Sequence, residues 1–204
     1  MIILGAAVCN VAATRAAEIA PAQNAIPEPT LACTGCHGAQ GDGNPDIGIP
    51  RLAALSRTYI LSQLAAFASG ERESLVMTPI AKGLSASDAE VSATYFAGLP
   101  GFTDAMAPAQ AGVGRALALR GRWSAGIPAC VSCHGPAGVG VGPDFPPLAG
   151  QPVAYIRAQL LAWQHGKRPA GPLGLMQVVA RRLTATDIEA VAAWFGAVTG
   201  GRGR

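Results

Sequence analysis

The string Cys-x-x-Cys-His occurs twice in the chain, as Cys33-Thr34-Gly35-Cys36-His37 and as Cys130-Val131-Ser132-Cys133-His134. Two thiols one helical turn apart can reach the two vinyl groups of one porphyrin and close as thioethers, and the adjacent histidine then gives the iron an imidazole nitrogen. Two copies imply two covalently attached haem c groups. Cys33, Cys36, Cys130 and Cys133 are the expected thioether anchors, and His37 and His134 the expected axial iron ligands. A bare Cys-x-x-Cys also suits a redox dithiol or half of a zinc site. A zinc ribbon brings its two pairs close in sequence, whereas Cys33 and Cys130 lie 97 positions apart. A dithiol has no need of a histidine directly after each second cysteine.

The context of the two strings repeats as well, which points to two copies of one structural unit. Pro50-Arg51-Leu52 matches Pro146-Pro147-Leu148, Tyr59-Ile60 matches Tyr155-Ile156, and Gln63-Leu64 matches Gln159-Leu160. Gly70-Glu71-Arg72 matches Gly166-Lys167-Arg168, Met77 matches Met176, and Tyr95-Phe96 matches Trp194-Phe195. Both copies read as helical. Apolar residues at helical spacing predict helices over 58–69 and 153–165, stopped by Gly70 and Gly166. Ser85 with Asp88, and Thr184 with Asp187, predict caps at further helix starts; those helices are expected to end near Gly98 to Pro100 and near Gly200. A helix over about 109–122 is expected to open the second copy, while Pro21, Pro27 and Pro29 argue against a matching helix before Cys33. Gly- and Pro-rich loops fill 38–50 and 135–147. The expected units are 25–103 and 104–200, followed by a disordered tail at 201–204.

Hydrophobic residues make up 50% of the chain but aromatics only 5%. A core so short of large side chains needs bulk from elsewhere, and two buried porphyrins supply it. Residues 1–20 begin with a short apolar run and continue with small residues, as in a secretory signal peptide cleaved between about Ala13 and Ala20. Cys9 falls inside this leader as an incidental residue. The run is too short to span a bilayer. Export suits haem c, so a periplasmic location is expected.

A six-coordinate iron needs a second axial donor. Met77 and Met176 hold equivalent repeat positions and are the expected donors, because a thioether stabilises ferrous iron. Met106 and His165 have no counterparts in the other copy. Each axial histidine also needs an acceptor for its other ring N–H, and the backbone carbonyls of Pro50 and Pro146 stand at similar distances after their histidines.

The second half, from Gly126-Ile127-Pro128-Ala129-Cys130 through Pro147-Leu148-Ala149-Gly150-Gln151 to Met176, strongly resembles the dihaem cytochromes c4. The resemblance extends over nearly the whole chain after the leader. It implies an all-α fold of two tandem class I cytochrome c domains related by a pseudo-two-fold axis. It also implies a carrier of single electrons between respiratory redox partners such as a terminal oxidase. The first half departs at Ala54, where the second half has Gly150. Its Glu28-Pro29-Thr30 and Ile80-Ala81-Lys82-Gly83 are similar to the dihaem subunit of flavocytochrome c sulfide dehydrogenase, which implies a flavoprotein dehydrogenase as an alternative, permanent partner.

An electron carrier, alone or as a subunit, is thus expected rather than an enzyme. A haem peroxidase or gas sensor needs an open iron, and the two methionines close both. The halves differ in charge: residues 25–103 carry four basic and seven acidic groups, net −3, and residues 104–204 carry ten and four, net +6. Such a dipole orients docking on a redox partner. Nothing points to nucleic acid, and contact with a membrane surface is expected only through a partner.

Overall fold

The computed structural model describes residues 25–169, 171 and 174–202. The expected leader at 1–20, Cys9 and the last two residues lie outside the described residues. Two helical units follow one another. The first holds α1 (Leu31–His37), α2 (Arg57–Ser69), α3 (Met77–Gly83) and α4 (Ala86–Gly98). The strand β1 (Phe102–Met106) leads to the second unit, with α5 (Val113–Arg120), α6 (Val131–His134), α7 (Val153–Gln164), α8 (Leu175–Ala180), α9 (Ala185–Gly196) and β2 (Thr199–Arg202). No described helix is long and apolar enough to cross a membrane.

The helix boundaries follow from their caps. Ser56 Oγ accepts the Tyr59 N–H at 3.1 Å and opens α2, and Gly70, left-handed at φ 83°, closes it. Ser85 caps α4 by accepting the Asp88 N–H at 3.1 Å. At α9 the capping box is complete: Thr184 Oγ1 accepts the Asp187 N–H at 3.1 Å, and Asp187 accepts the Thr184 N–H at 3.0 Å. Arg122 adds a two-pronged ion pair to the same carboxylate, at 2.6 and 2.9 Å. The helix α5 is shorter than the expected 109–122 because Gly112 (φ 143°) and Gly121 (φ 70°) bracket it.

The ends of α9 and of the chain correct the reading from sequence. The helix stops at Gly196 rather than near Gly200, and Gly201 and Arg202 belong to β2, not to a disordered tail. This strand pairs antiparallel with β1, Phe102 opposite Arg202 and Met106 opposite Thr199. Gly200 and Gly201 concealed the strand, since glycine weakens any strand signal.

Each unit has its own core. In the second, Leu117, Ile156, Leu160, Ile188, Trp194 and Phe195 pack where α5 and α7 meet α9, with Phe102 and Met176 against them. The first core is smaller: Leu55, Ile60, Ala93 and Phe96 lie between α2 and α4. Instead of a long helix before α1 it has a single 3-10 turn, Glu28–Thr30, whose fully buried Thr30 donates to Ser92 Oγ at 3.2 Å. Ala54 and Gly150 adopt the same left-handed turn, φ 61° and 63°. Their N–H groups donate to Phe96 and Phe195 carbonyls at 3.2 and 3.0 Å. The alanine bears a strain of about 1 kcal/mol that the glycine avoids.

The units meet through paired polar contacts. Gln151 accepts the Arg51 N–H at 3.0 Å and donates to the Arg51 carbonyl at 2.8 Å. Nearby, Arg72 and Arg168 each reach across to the tyrosine and glutamine of the other half.

Two outcomes are expected. A Cβ at Gly114 would lie 2.1 Å from the Ala190 carbonyl oxygen, so Gly114→Ala should wedge α5 from α9. The expected cost is about 1–3 kcal/mol, readable as a lower thermal midpoint of the holoprotein. The Arg122 hydrogen bonds push the Asp187 carboxyl down to about 2. A carboxyl depressed on folding contributes stability above its unfolded pKa near 4 and loses it as pH falls through the folded value. Circular dichroism should show stability falling between about pH 4 and about pH 2, and Asp187→Asn should flatten that segment.

Candidate haem-binding sites

Each Cys-x-x-Cys-His string folds as a helical turn, α1 or α6, so its cysteines stand three residues apart on one face. A left-handed glycine ends each turn immediately after the histidine, Gly38 and Gly135, both at φ 78°. The chain then loops back onto the histidine. Gly43 N–H donates to the His37 carbonyl at 2.8 Å, and Gly140 N–H to the His134 carbonyl at 2.7 Å. The glycines are required by space: a Cβ at Gly43 would lie 2.3 Å from the Ile49 carbonyl oxygen, and one at Gly140 would lie 2.8 Å from the Pro147 ring. A β-bridge closes each loop, Asn44 with Ile49 and Val141 with Phe145.

These loops deliver the proline carbonyls. His37 Nδ1 lies 2.9 Å from the Pro50 oxygen and His134 Nδ1 2.8 Å from the Pro146 oxygen. A carbonyl can only accept, so Nδ1 carries the proton and Nε2 keeps its lone pair. Both imidazoles are buried, and burial pushes their pKa values down while the carbonyls oppose it. His134 Nε2 is buried without a hydrogen-bond partner. A neutral imidazole with one nitrogen committed and the other bare is what an iron ligand needs. Burial also raises the thiol pKa values of Cys33 and Cys130, the latter to about 11. Among the described residues no three His, Cys, Asp or Glu side chains form a metal-holding cluster. Each pair of cysteines followed by a buried imidazole bonded through Nδ1 fits a covalently held haem, whose iron the imidazole would ligate.

The methionines sit at equivalent places. Met77 is the first residue of α3 and Met176 the second of α8, each half-buried, each on a helix packed against the long helix before it. The candidates without counterparts are on the surface: Met106 is 66% exposed on β1, and His165 caps α7 in solvent. The two histidine pockets differ in one neighbour. Phe145 stands edge-on to the His134 ring, 6.2 Å between centroids, where the first half has Ile49. Reading the sequence also missed the use of Tyr59, Gln63 and Arg72 with their counterparts. The repeat displayed all six, and only the fold shows that they meet.

Comparison with known proteins places this geometry. The family described as "Cytochrome C oxidase, cbb3-type, subunit III" matches residues 115–195. A "Thiosulfate dehydrogenase electron acceptor" of Thiomonas intermedia is 50% identical over 176 residues, 85% of this chain and 81% of that protein. A "Cytochrome c4" of Pseudomonas aeruginosa is 35% identical over 164 residues, 79% and 81% of the two chains. Among solved structures, reduced cytochrome c4 from Pseudomonas stutzeri superposes with a TM-score of 0.73 at 34% identity, covering 83% of this chain and 95% of that one. The thiosulfate dehydrogenase TsdBA from Marichromatium purpuratum gives a TM-score of 0.75 at 44% identity, covering 82% of this chain. The chain spans 36% of that longer polypeptide.

Met77→Ala and Met176→Ala are each expected to abolish one iron–thioether absorption band and to lower one of the two midpoint potentials. Met106→Ala should leave both spectra unchanged. A methionine variant that keeps both bands would assign that iron a different ligand.

Proposed function

Because the chain belongs to the dihaem cytochrome c4 family, we propose that it accepts electrons in the periplasm from a sulfur-oxidising dehydrogenase and passes them on singly. The protein is an electron carrier rather than an enzyme, carries covalently bound haem c, and works with redox protein partners. The fold is that of tandem class I cytochrome c domains, with the β1–β2 pair added to its helices. Haem supplies a one-electron ferric–ferrous couple when bound.

The observation that carries the site assignment is the pair of buried imidazoles, each held by a proline carbonyl. In this reading Cys33, Cys36, Cys130 and Cys133 anchor the two haems. His37 and Met77 serve one iron, and His134 and Met176 the other. The proline contacts would hold each ring in the orientation that keeps Nε2 toward its iron. With a histidine and a methionine holding each iron, no open place would remain for a substrate, which would suit transfer of electrons and oppose peroxidase or gas-sensor chemistry. Export through the leader suits the attachment of haem c.

The donor is proposed from two relatives, 50% and 45% identical, each named as a thiosulfate dehydrogenase electron acceptor. A flavoprotein donor is the second reading, favoured by Glu28-Pro29-Thr30 and Ile80-Ala81-Lys82-Gly83 in the first half. Stopped-flow mixing of the oxidised holoprotein with thiosulfate dehydrogenase and thiosulfate decides between them. Full reduction of both haems within the dehydrogenase turnover time is expected. Slow reduction by that enzyme, with fast reduction by a sulfide-oxidising flavoprotein, would reverse the assignment.

A further inference from the structure

Among the described residues Trp123 is the one exposed aromatic side chain, 71% open to solvent. It opens the 3-10 turn Trp123–Ala125, which lies between the end of α5 at Arg120 and the haem-attachment string at Cys130. The root of the turn is closed by two backbone bonds: Arg122 N–H donates to the Ile127 carbonyl at 2.7 Å, and Ile127 N–H to the Arg122 carbonyl at 3.1 Å. Ile127 itself is wholly buried. Gly121, left-handed at φ 70°, permits the close approach, since a Cβ there would lie 2.4 Å from the Ile127 carbonyl oxygen. The indole is therefore exposed on a rigid support, and a partner that covers it has little backbone to order. The first half has no counterpart among the described residues, because its chain enters Cys33 through Glu28–Thr30 alone.

The surroundings of the turn are basic. Arg182 Nη1 donates to the Gly126 carbonyl at 3.4 Å, and its guanidinium lies against Gly126, where an added Cβ would meet Nε at 3.1 Å. Arg181 beside it in sequence and Arg120, three residues before the indole, are exposed. The carboxylate that reaches this turn, Asp187, is already taken by Arg122. Among the described residues the ion pairs involve Arg51, Arg57, Arg122 and Arg157, so Arg120, Arg181 and Arg182 have no carboxylate partner. Residues 105–143 and 145–186 contain no Asp or Glu at all. A tryptophan beside arginines has the composition of an interface hot spot, and a positive rim selects a negative surface. The position of the turn selects the class of partner. Ile127 stands three residues before Cys130, and Cys130 N–H is bonded at 3.5 Å to the Leu117 carbonyl of α5. A redox protein seated on Trp123 is thereby brought to the attachment site of the second haem, a placement that offers nothing to a lipid surface or a polynucleotide.

We propose that Trp123, ringed by Arg120, Arg181 and Arg182, is the docking surface for an acidic face of the electron-donating dehydrogenase. The indole fills an apolar centre in that face, and the arginines meet carboxylates around it. Electrons then enter through the haem of the second half. The identity of the docked enzyme rests on the donor reading above; the surface rests on the turn and its charges.

The test compares the holoprotein with Trp123→Ala, Trp123→Phe, Arg120→Glu and Arg182→Glu. Lys82→Glu, at an exposed site of the first half, makes the same change of charge as either arginine variant. Stopped-flow reduction by thiosulfate dehydrogenase with thiosulfate should slow about tenfold or more in Trp123→Ala and stay near wild type in Trp123→Phe. The arginine variants should be slow at low salt and converge on wild type as salt rises. Lys82→Glu should match wild type, and dithionite should reduce every variant at the same rate. In parallel, each protein is adsorbed on a gold electrode bearing a mixed carboxylate- and methyl-terminated monolayer, where the Trp123→Ala and arginine variants should lose most of the electroactive signal. If the dehydrogenase leaves wild type oxidised, the donor reading fails and the electrode comparison alone decides the surface. Variants that match wild type on the electrode would overturn the surface, as would a loss equally large in Lys82→Glu, since net charge would then be the cause. Binding of wild type to phosphatidylglycerol vesicles that these variants abolish would assign the patch to a membrane instead. Self-association in sedimentation that Trp123→Ala abolishes would assign it to a second copy of the chain. Either result would overturn the proposal.

Discussion

The hydrogen bond from each histidine Nδ1 to a proline carbonyl organises the rest of the structure. For that bond to form, the chain must leave the helical turn, reverse, and return within about a dozen residues to the ring it has just passed. The reversal explains the left-handed glycine after each histidine and the close approach at Gly43 and Gly140. It also explains why the returning segment is proline-rich: a residue without an N–H leaves its carbonyl as the only polar group to satisfy. One proton position on an imidazole thus dictates two irregular loops, and the helices serve to hold those loops in place.

The two halves obey this rule alike and differ in what surrounds it. The second has a long core between α5, α7 and α9 and an aromatic edge against its histidine. The first replaces the opening helix with one 3-10 turn and tolerates a strained alanine where its partner has glycine. The two halves therefore share the histidine–proline turn and differ in the scaffold around it. The opposite net charges of the halves follow the same pattern, since surface charge is not constrained by the buried site.

Much of this was legible in the sequence because the decisive contacts are local or repeated. Cys-x-x-Cys-His is five residues long, the caps at Ser85 and Thr184 act within one turn, and the proline carbonyls lie about a dozen positions from their histidines. The strand at Thr199–Arg202 was not legible, because its partner lies almost a hundred residues earlier and two glycines dilute its pattern. The junction cluster was visible as matched letters and opaque as chemistry. Nothing in Gly-x-Arg says that its guanidinium will lie on the other half's tyrosine, since that depends on how two complete units pack.

The β1–β2 pair gives the link between the halves an unusual character. Leu99 is still tied to α4 through its N–H to the Phe96 carbonyl at 3.3 Å, and Phe102 is already a strand residue of the second unit. Three residue steps span at most about 10 Å. The halves therefore never leave one another's neighbourhood, and their association is intramolecular, with a short tether and a correspondingly high effective concentration. An interface so tethered need not bury the broad apolar area that two free proteins require, and polar contacts of guanidinium, amide, phenol and hydroxyl groups can carry much of it.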